Sequence, residues 1–281
     1  MPTVTEIGRC VLRDAHLPQE IDATCAEALT KPGRLFSPVP AWSRLFLAWL
    51  HALADPPYEE FLPAAVACEA VVTGYDLIDD VYDRACDAFP RADLTDVLPS
   101  GVTLLLLAQE VLARLDVPAD RRARACAVLA RASRRVFAAQ GQDYVLRDMP
   151  PATQDVVFAV LRRRSGTLAA APCQCAAVLA DSPWRVVALA GRFGRLLGCA
   201  AQLEDDLADR VMDEQSGRQT IPTVLAHFYP ATPELVEATT WVLLRHFLEE
   251  AARVLRRLPP HVRTESLWTL LPTDVRADSL S

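Results

Sequence analysis

The chain has 281 residues, 51% of them hydrophobic and only 10 of them glycine, enough apolar material for one sizeable core without a second domain. With 29 basic against 36 acidic residues, the formal charge of -7 excludes nucleic-acid binding through a general electrostatic field, although an acidic protein can still hold an anion through metal ions. The 8 cysteines show no CxxC pair, and "CQC" is too short for a zinc pair, so they read as reduced thiols of a cytoplasmic protein.

Along the chain, prolines bound long segments rich in Ala, Leu, Val and Arg and poor in Gly, as helices require. The reading is all-α, with helices predicted over 41–54, 58–87, 100–115, 120–147, 153–180, 184–214, 219–228 and 234–257. Pro63 fits the first turn of its helix, and Pro172 is expected to kink the one that contains it. No alternating β-branched stretch, repeat or low-complexity linker interrupts the pattern. The opening "MPTVTEIGRCVLRDAH" has no apolar core suited to export, and "VTLLLLAQEVLARL" is broken by Gln109 and Glu110, so no membrane insertion is expected.

Two of the predicted helices carry acidic stripes. Asp76, Asp79, Asp80 and Asp83 stand at i, i+3, i+4 and i+7, one face of a helix roughly 10 Å long. Gln202, Asp205, Asp206 and Asp209 repeat that spacing, and Asp213 continues it one turn later. Acidic helical residues are usually a solvated outer face. Here the neighbours Val71, Val72, Leu77, Ile78 and Val81, and Leu196, Leu197, Leu203 and Leu207, leave neither helix a broad polar side. Stacked carboxylates repel unless cations sit between them. Magnesium answers that need, because it takes oxygen ligands and is typically held by one or two carboxylates together with substrate phosphates.

These residues resemble the trans-isoprenyl diphosphate synthases. "DDVYD" matches their first aspartate-rich motif and "QLEDDLAD" the second. "GQDYVLRD", with Gln142 and Asp143, is similar to their central Gly-Gln-x-x-Asp element. Arg164 and Thr167 of "RRRSGTL" fall where a Lys-Thr pair is expected, and "GRQTIP" puts Arg218 in a lysine position. The resemblance implies an all-α barrel of antiparallel helices around a deep cavity, a homodimer, and a single domain over 1–281. It implies Mg2+ held by Asp79, Asp80, Asp83, Asp205, Asp206 and Asp209, which are also the expected catalytic residues. Asp76, Gln142, Asp143, Arg164, Thr167, Gln202 and Arg218 are the expected contacts to an allylic prenyl diphosphate. In the resembled synthases a bulky residue one turn before the first motif limits the prenyl tail, and Tyr75 holds that position.

Chain-elongating members bind isopentenyl diphosphate through an N-terminal Gly-Gly-Lys-Arg-x-Arg-Pro element. The corresponding "PGRLFSP" keeps Arg34 but has Ser37 in place of the final arginine, and Arg84 and Arg91 stand singly where a pair is expected. The reading is therefore a terpene cyclase, a class I lyase that ionises the allylic diphosphate and lets an internal double bond capture the cation. The alternative is a prenyltransferase, either a chain-elongating isoprenyl diphosphate synthase or a relative using another acceptor. A non-catalytic partner subunit is the third reading.

Overall fold

The computed structural model describes residues 3–38, 40–55, 58–83, 94–230 and 232–277. Helices account for 79% of it, with no strand among the described residues, so the all-α expectation holds. The chain divides into two compact units, one of Met1–Ala130 with Gln174–Pro183, the other of Arg131–Cys173 with Trp184–Ser281.

The first unit opens with α1 (Val4–Asp14) and α2 (Gln19–Thr30), neither of which is in the sequence reading. The α1 start has a local signal: Thr3 and Glu6 form a reciprocal capping box that satisfies two otherwise orphaned amides. Next come α3 (Ala41–Leu53), a 3-10 turn (Glu59–Phe61), α4 (Leu62–Asp83) and α5 (Leu94–Ala113). The α4 helix is the hub of this unit and packs against α1, α2, α3 and α5. Phe46, Trp49, Leu50, Leu77, Leu104 and Leu112 fill its core.

A buried charge ties α3 to this hub. Glu69, on α4 and fully buried, accepts from the amides of Trp42 (2.9 Å) and Ser43 (2.7 Å) in the first turn of α3. With Pro40 at the N-cap, α3 has no side-chain cap of its own, and a carboxylate from the neighbouring helix supplies one. Burial pushes the Glu69 carboxyl up to about 6, against the opposing pull of those amides.

The α6 (Ala119–Arg147) and α8 (Ser165–Leu179) helices contribute to both units. The second unit otherwise contains α7 (Gln154–Arg163), α9 (Trp184–Ala208), α10 (Arg210–Ser216), α11 (Ile221–Phe228), α12 (Pro233–Arg256), α13 (Glu265–Trp268) and α14 (Thr273–Ala277). Its core joins Val157, Leu203, Ile221, Val236 and Phe247. Gly194 and Gly198, one turn apart on α9, let that helix lie directly on the start of α8. A Cβ at either would strike backbone, the Ala169 carbonyl at Gly194 and the Ser165 carbonyl at Gly198.

Two predicted helices are each divided. The segment predicted over 153–180 breaks at Arg164, whose backbone leaves the helical region (φ -87, ψ -90), while α8 runs through Pro172 uninterrupted. The segment predicted over 184–214 breaks at Asp209, between α9 and α10. Both breaks fall at site residues. The seven described cysteines are free thiols. Three helical stretches, Glu59–Tyr82, Thr95–Ala113 and Trp184–Ala208, are long and apolar enough to cross a membrane by length and composition, although the sequence reading names none. The first is 89% buried within the protein, and a helix packed on several sides is apolar around its circumference for that reason alone.

Candidate active site

Each unit carries one set of site residues. In the first, the loop after α2 meets the end of α4. Two tight turns shape this loop, Arg34 N–H to the Lys31 carbonyl (3.0 Å) and Ser37 N–H to the Arg34 carbonyl (2.9 Å), with Gly33 at φ 76 and Leu35 anchored in the core. They aim two cations at the first stripe. Lys31 Nζ lies 3.0 Å from Asp80 Oδ2, and Arg34 donates through Nε to Asp76 Oδ2 at 2.7 Å, with a second guanidinium contact to the same oxygen. Burial pushes the Asp76 carboxyl up, while Arg34 and Lys31 pull it down.

Asp79 is half-buried on the same stretch, and Tyr75 is buried one turn earlier. Asp83 closes α4 but its side chain lies outside the described residues, as do Arg84 and Arg91. Sequence reasoning missed Lys31, although it is the only lysine of the chain and so carried a signal.

In the second unit, the break at Arg164 turns its guanidinium onto Asp143 of α6, at 2.8 Å. Arg218 approaches the same carboxylate and that of Asp213, each at 3.9 Å. Its position follows from the end of α10, where Gly217 takes the left-handed conformation (φ 73) and the Arg218 amide donates back to the Asp213 carbonyl (2.9 Å). Ser165 Oγ donates to Gln202 Oε1 (2.6 Å), and Gln202 Nε2 donates to Asp206 Oδ1 (2.9 Å).

The second stripe is only partly inward. Asp206 and Asp213 are buried, whereas Asp205 and Asp209 are exposed. Asp206 and Asp213 are seven residues apart and so share a helical face, whereas Asp205 stands about 100° round α9 from Asp206. Gln142 accepts from Arg163 (3.3 Å), and Thr167 donates to the Arg162 carbonyl (3.3 Å), so both serve the break between α7 and α8. Gln219, which sequence reasoning passed over, ties the end of α6 to this region. Its Oε1 accepts from Ala152 N–H (2.6 Å), and its Nε2 donates to the carbonyls of Leu146 (2.5 Å) and Met149 (3.0 Å).

Burial drives the Asp206 carboxyl up to about 7, against the Gln202 hydrogen bond and with help from Asp213. Burial likewise raises Asp213 to about 6, against Arg218. Acidic oxygens held at this cost are what a hard divalent cation relieves, so the second set fits magnesium. Among the described residues no three His, Cys, Asp or Glu side chains converge to hold a metal ion by themselves.

The polyprenyl synthetase family model matches residues 21–221. Among curated proteins, the (2E,6E)-farnesyl diphosphate synthases of Mycobacterium bovis and Mycobacterium tuberculosis are 29% identical over 170 residues, 58% of this chain and 46% of theirs. The chain thus spans about half the length of the curated relatives it matches. Among solved structures, a geranylgeranyl pyrophosphate synthetase from Geoglobus acetivorans superposes with a TM-score of 0.80 at 20% identity, covering 99% of this chain and 97% of that one. A Helicobacter pylori geranyltransferase, complexed with magnesium and isoprenyl diphosphate, gives 0.76 at 18% identity, covering 95% and 93%. Magnesium dependence is general in this family.

These relatives overturn the expectation of a terpene cyclase and lyase, because the matched curated proteins are chain-elongating enzymes. That expectation rested on Ser37 in place of an arginine and on the unpaired Arg84 and Arg91, which lie outside the described residues; the loop at 31–37 presents Lys31 as well as the retained Arg34 to the first stripe. By the match over residues 21–221 and the motifs just described, the chain belongs to the polyprenyl synthetase family.

Proposed function

We propose that the protein is a magnesium-dependent prenyltransferase that elongates an allylic prenyl diphosphate with isopentenyl diphosphate. In this reaction the allylic carbon–oxygen bond breaks, pyrophosphate leaves, the isopentenyl double bond forms the new carbon–carbon bond, and a proton is lost. The observation that carries the reading is the pair of cations at 31 and 34 set against Asp80 and Asp76. A second diphosphate needs such charge beside the first aspartate stripe.

Magnesium, when bound, neutralises the diphosphate oxygens and stabilises the departing pyrophosphate. The chain's own residues divide the remaining work. In the first unit Asp79 and Asp80, and in the second Asp206 and Asp213, are the described carboxylates that would hold metal ions, while Asp205 and Asp209 are exposed. Arg164 and Arg218, oriented by Asp143, present guanidinium edges to phosphate oxygens. Lys31 carries a compact charge on a flexible stem, so its ammonium can turn from Asp80 to a phosphate of isopentenyl diphosphate.

The test is a split in Michaelis constants. Lys31→Gln should raise KM for isopentenyl diphosphate about tenfold or more, from loss of one charge-assisted contact, and leave KM for the allylic substrate nearly unchanged. Equal effects on both substrates, or none, would count against the assignment. The same reading makes the protein a homodimer. Its support is an exposed apolar stripe on α5, formed by Leu98, Val102 and Leu106 at successive turns.

A further inference from the structure

A larger pocket lies entirely within the second unit, of about 540 Å³, within the range of small-molecule sites. One side is cationic, with Arg147, Arg210 and Arg218, and His227 also lines the pocket. Against these stands a single lining carboxylate, Glu214, which pairs with Arg210 at 3.4 Å. The Arg147 guanidinium is steadied over the Tyr144 ring, 4.5 Å from its centroid. The remaining wall is apolar, with Met149, Val224 and Tyr229 prominent, and Met149 and Tyr229 are exposed at its edge. In a chain of formal charge -7, this is a local concentration of positive charge beside apolar surface.

Arg218 and Gln219 line this pocket and also the small pocket, of about 30 Å³, that contains Asp143, Arg164, Gln202 and Asp206. They are a shared wall, held by the Gln219 hydrogen bonds to the segment at 146–152. An anion in the larger pocket would compete for Arg218 with Asp143 and Asp213, whose contacts at 3.9 Å are already long.

We propose that this pocket is a second site for a diphosphate-bearing ligand with an apolar chain, and that its occupancy is felt at the aspartates through Arg218. The binding claim stands on the pocket alone, while the coupling rests on the transferase reading. The two sites differ in their charge: the aspartate stripes need a metal before they favour an anion, whereas the larger pocket has a single carboxylate and adds Arg147 and Arg210, which the small pocket lacks.

Calorimetry in excess chelator removes the metal-dependent binding, and the comparison of wild type with Arg210→Ala reports the larger pocket. Farnesyl diphosphate should bind, at least tenfold more tightly than inorganic pyrophosphate or ADP, because only it offers the chain to the apolar wall. Arg210→Ala should weaken farnesyl diphosphate and pyrophosphate alike, by about tenfold, and Tyr229→Ala should weaken farnesyl diphosphate alone. Absence of binding in chelator, binding indifferent to Arg210→Ala, or tighter binding of ADP would overturn the site. With magnesium present, Arg210→Ala should relieve inhibition by high farnesyl diphosphate without lowering kcat/KM at low concentration, and unchanged inhibition would overturn the coupling. A protein that binds in chelator yet elongates nothing would keep the pocket and lose the transferase.

Discussion

Asp206 shows at the scale of one residue how burial and function are balanced. Its carboxyl is pushed up to about 7 because one neutral amide hydrogen bond does not replace lost water. Asp206→Asn keeps the shape and removes the charge a metal needs, so turnover should fall about 100-fold or more with the circular dichroism spectrum unchanged. Near-normal turnover would remove Asp206 from the site. Glu69 offers a stability test away from the site. Its folded value, about 6, lies above the ordinary glutamate value of 4.5, so its contribution is present in full below 4.5 and lost as pH rises through 6. Glu69→Gln can still accept from the Trp42 and Ser43 amides but never ionises. Between about pH 4 and about pH 8 the variant should therefore gain about 2 kcal/mol on wild type in urea denaturation, at about 1.36 kcal/mol per pH unit. A pH-independent difference would contradict the buried charge.

At the scale of elements, the sequence showed most helices and hid where they break. Composition and proline spacing were enough for α3, α6, α11 and α12, whose predicted and observed ends nearly coincide, while α4 starts four residues after its predicted start and its predicted end lies outside the described residues. Periodicity cannot see a single residue leaving helical geometry, so the breaks at Arg164 and Asp209 were missed; Asp213 was legible as a continuation of the stripe, whereas the spacing did not separate the buried Asp206 from the exposed Asp205 beside it. Lys31 was missed for a related reason, since it sits in a loop and a motif compares positions, whereas a loop can deliver the same charge from another position. Glu69 was legible in principle, as a lone acid in the apolar run "AAVACEAVV". The contact of α8 with α9 is a further test at this scale. Gly198→Ala would press a methyl on the Ser165 backbone, costing about 1–3 kcal/mol in urea denaturation. Because Ser165 positions Gln202 and through it Asp206, magnesium affinity should fall as well. A variant of wild-type stability would contradict the close approach.

For the whole molecule, an all-α fold of the polyprenyl synthetase family supplies apolar helices that carry carboxylates at their ends and arginines at their breaks. If α5 supplies the contact between two copies, Leu106→Glu should shift sedimentation from dimer to monomer, and an unchanged dimer would place the contact elsewhere. Chain length belongs to this scale too. Tyr75 is buried one turn before Asp79, and Tyr75→Ala should move the product distribution toward longer prenyl diphosphates in a folded variant. An unchanged distribution would take Tyr75 out of the tail's path. The most direct measurement incubates the purified protein with magnesium and geranyl, farnesyl or geranylgeranyl diphosphate, with and without labelled isopentenyl diphosphate, and identifies every product by mass. The expected result is a longer prenyl diphosphate carrying the label, formed only when isopentenyl diphosphate is present. Hydrocarbon or alcohol products formed equally well without it, and no labelled diphosphate with it, would contradict elongation.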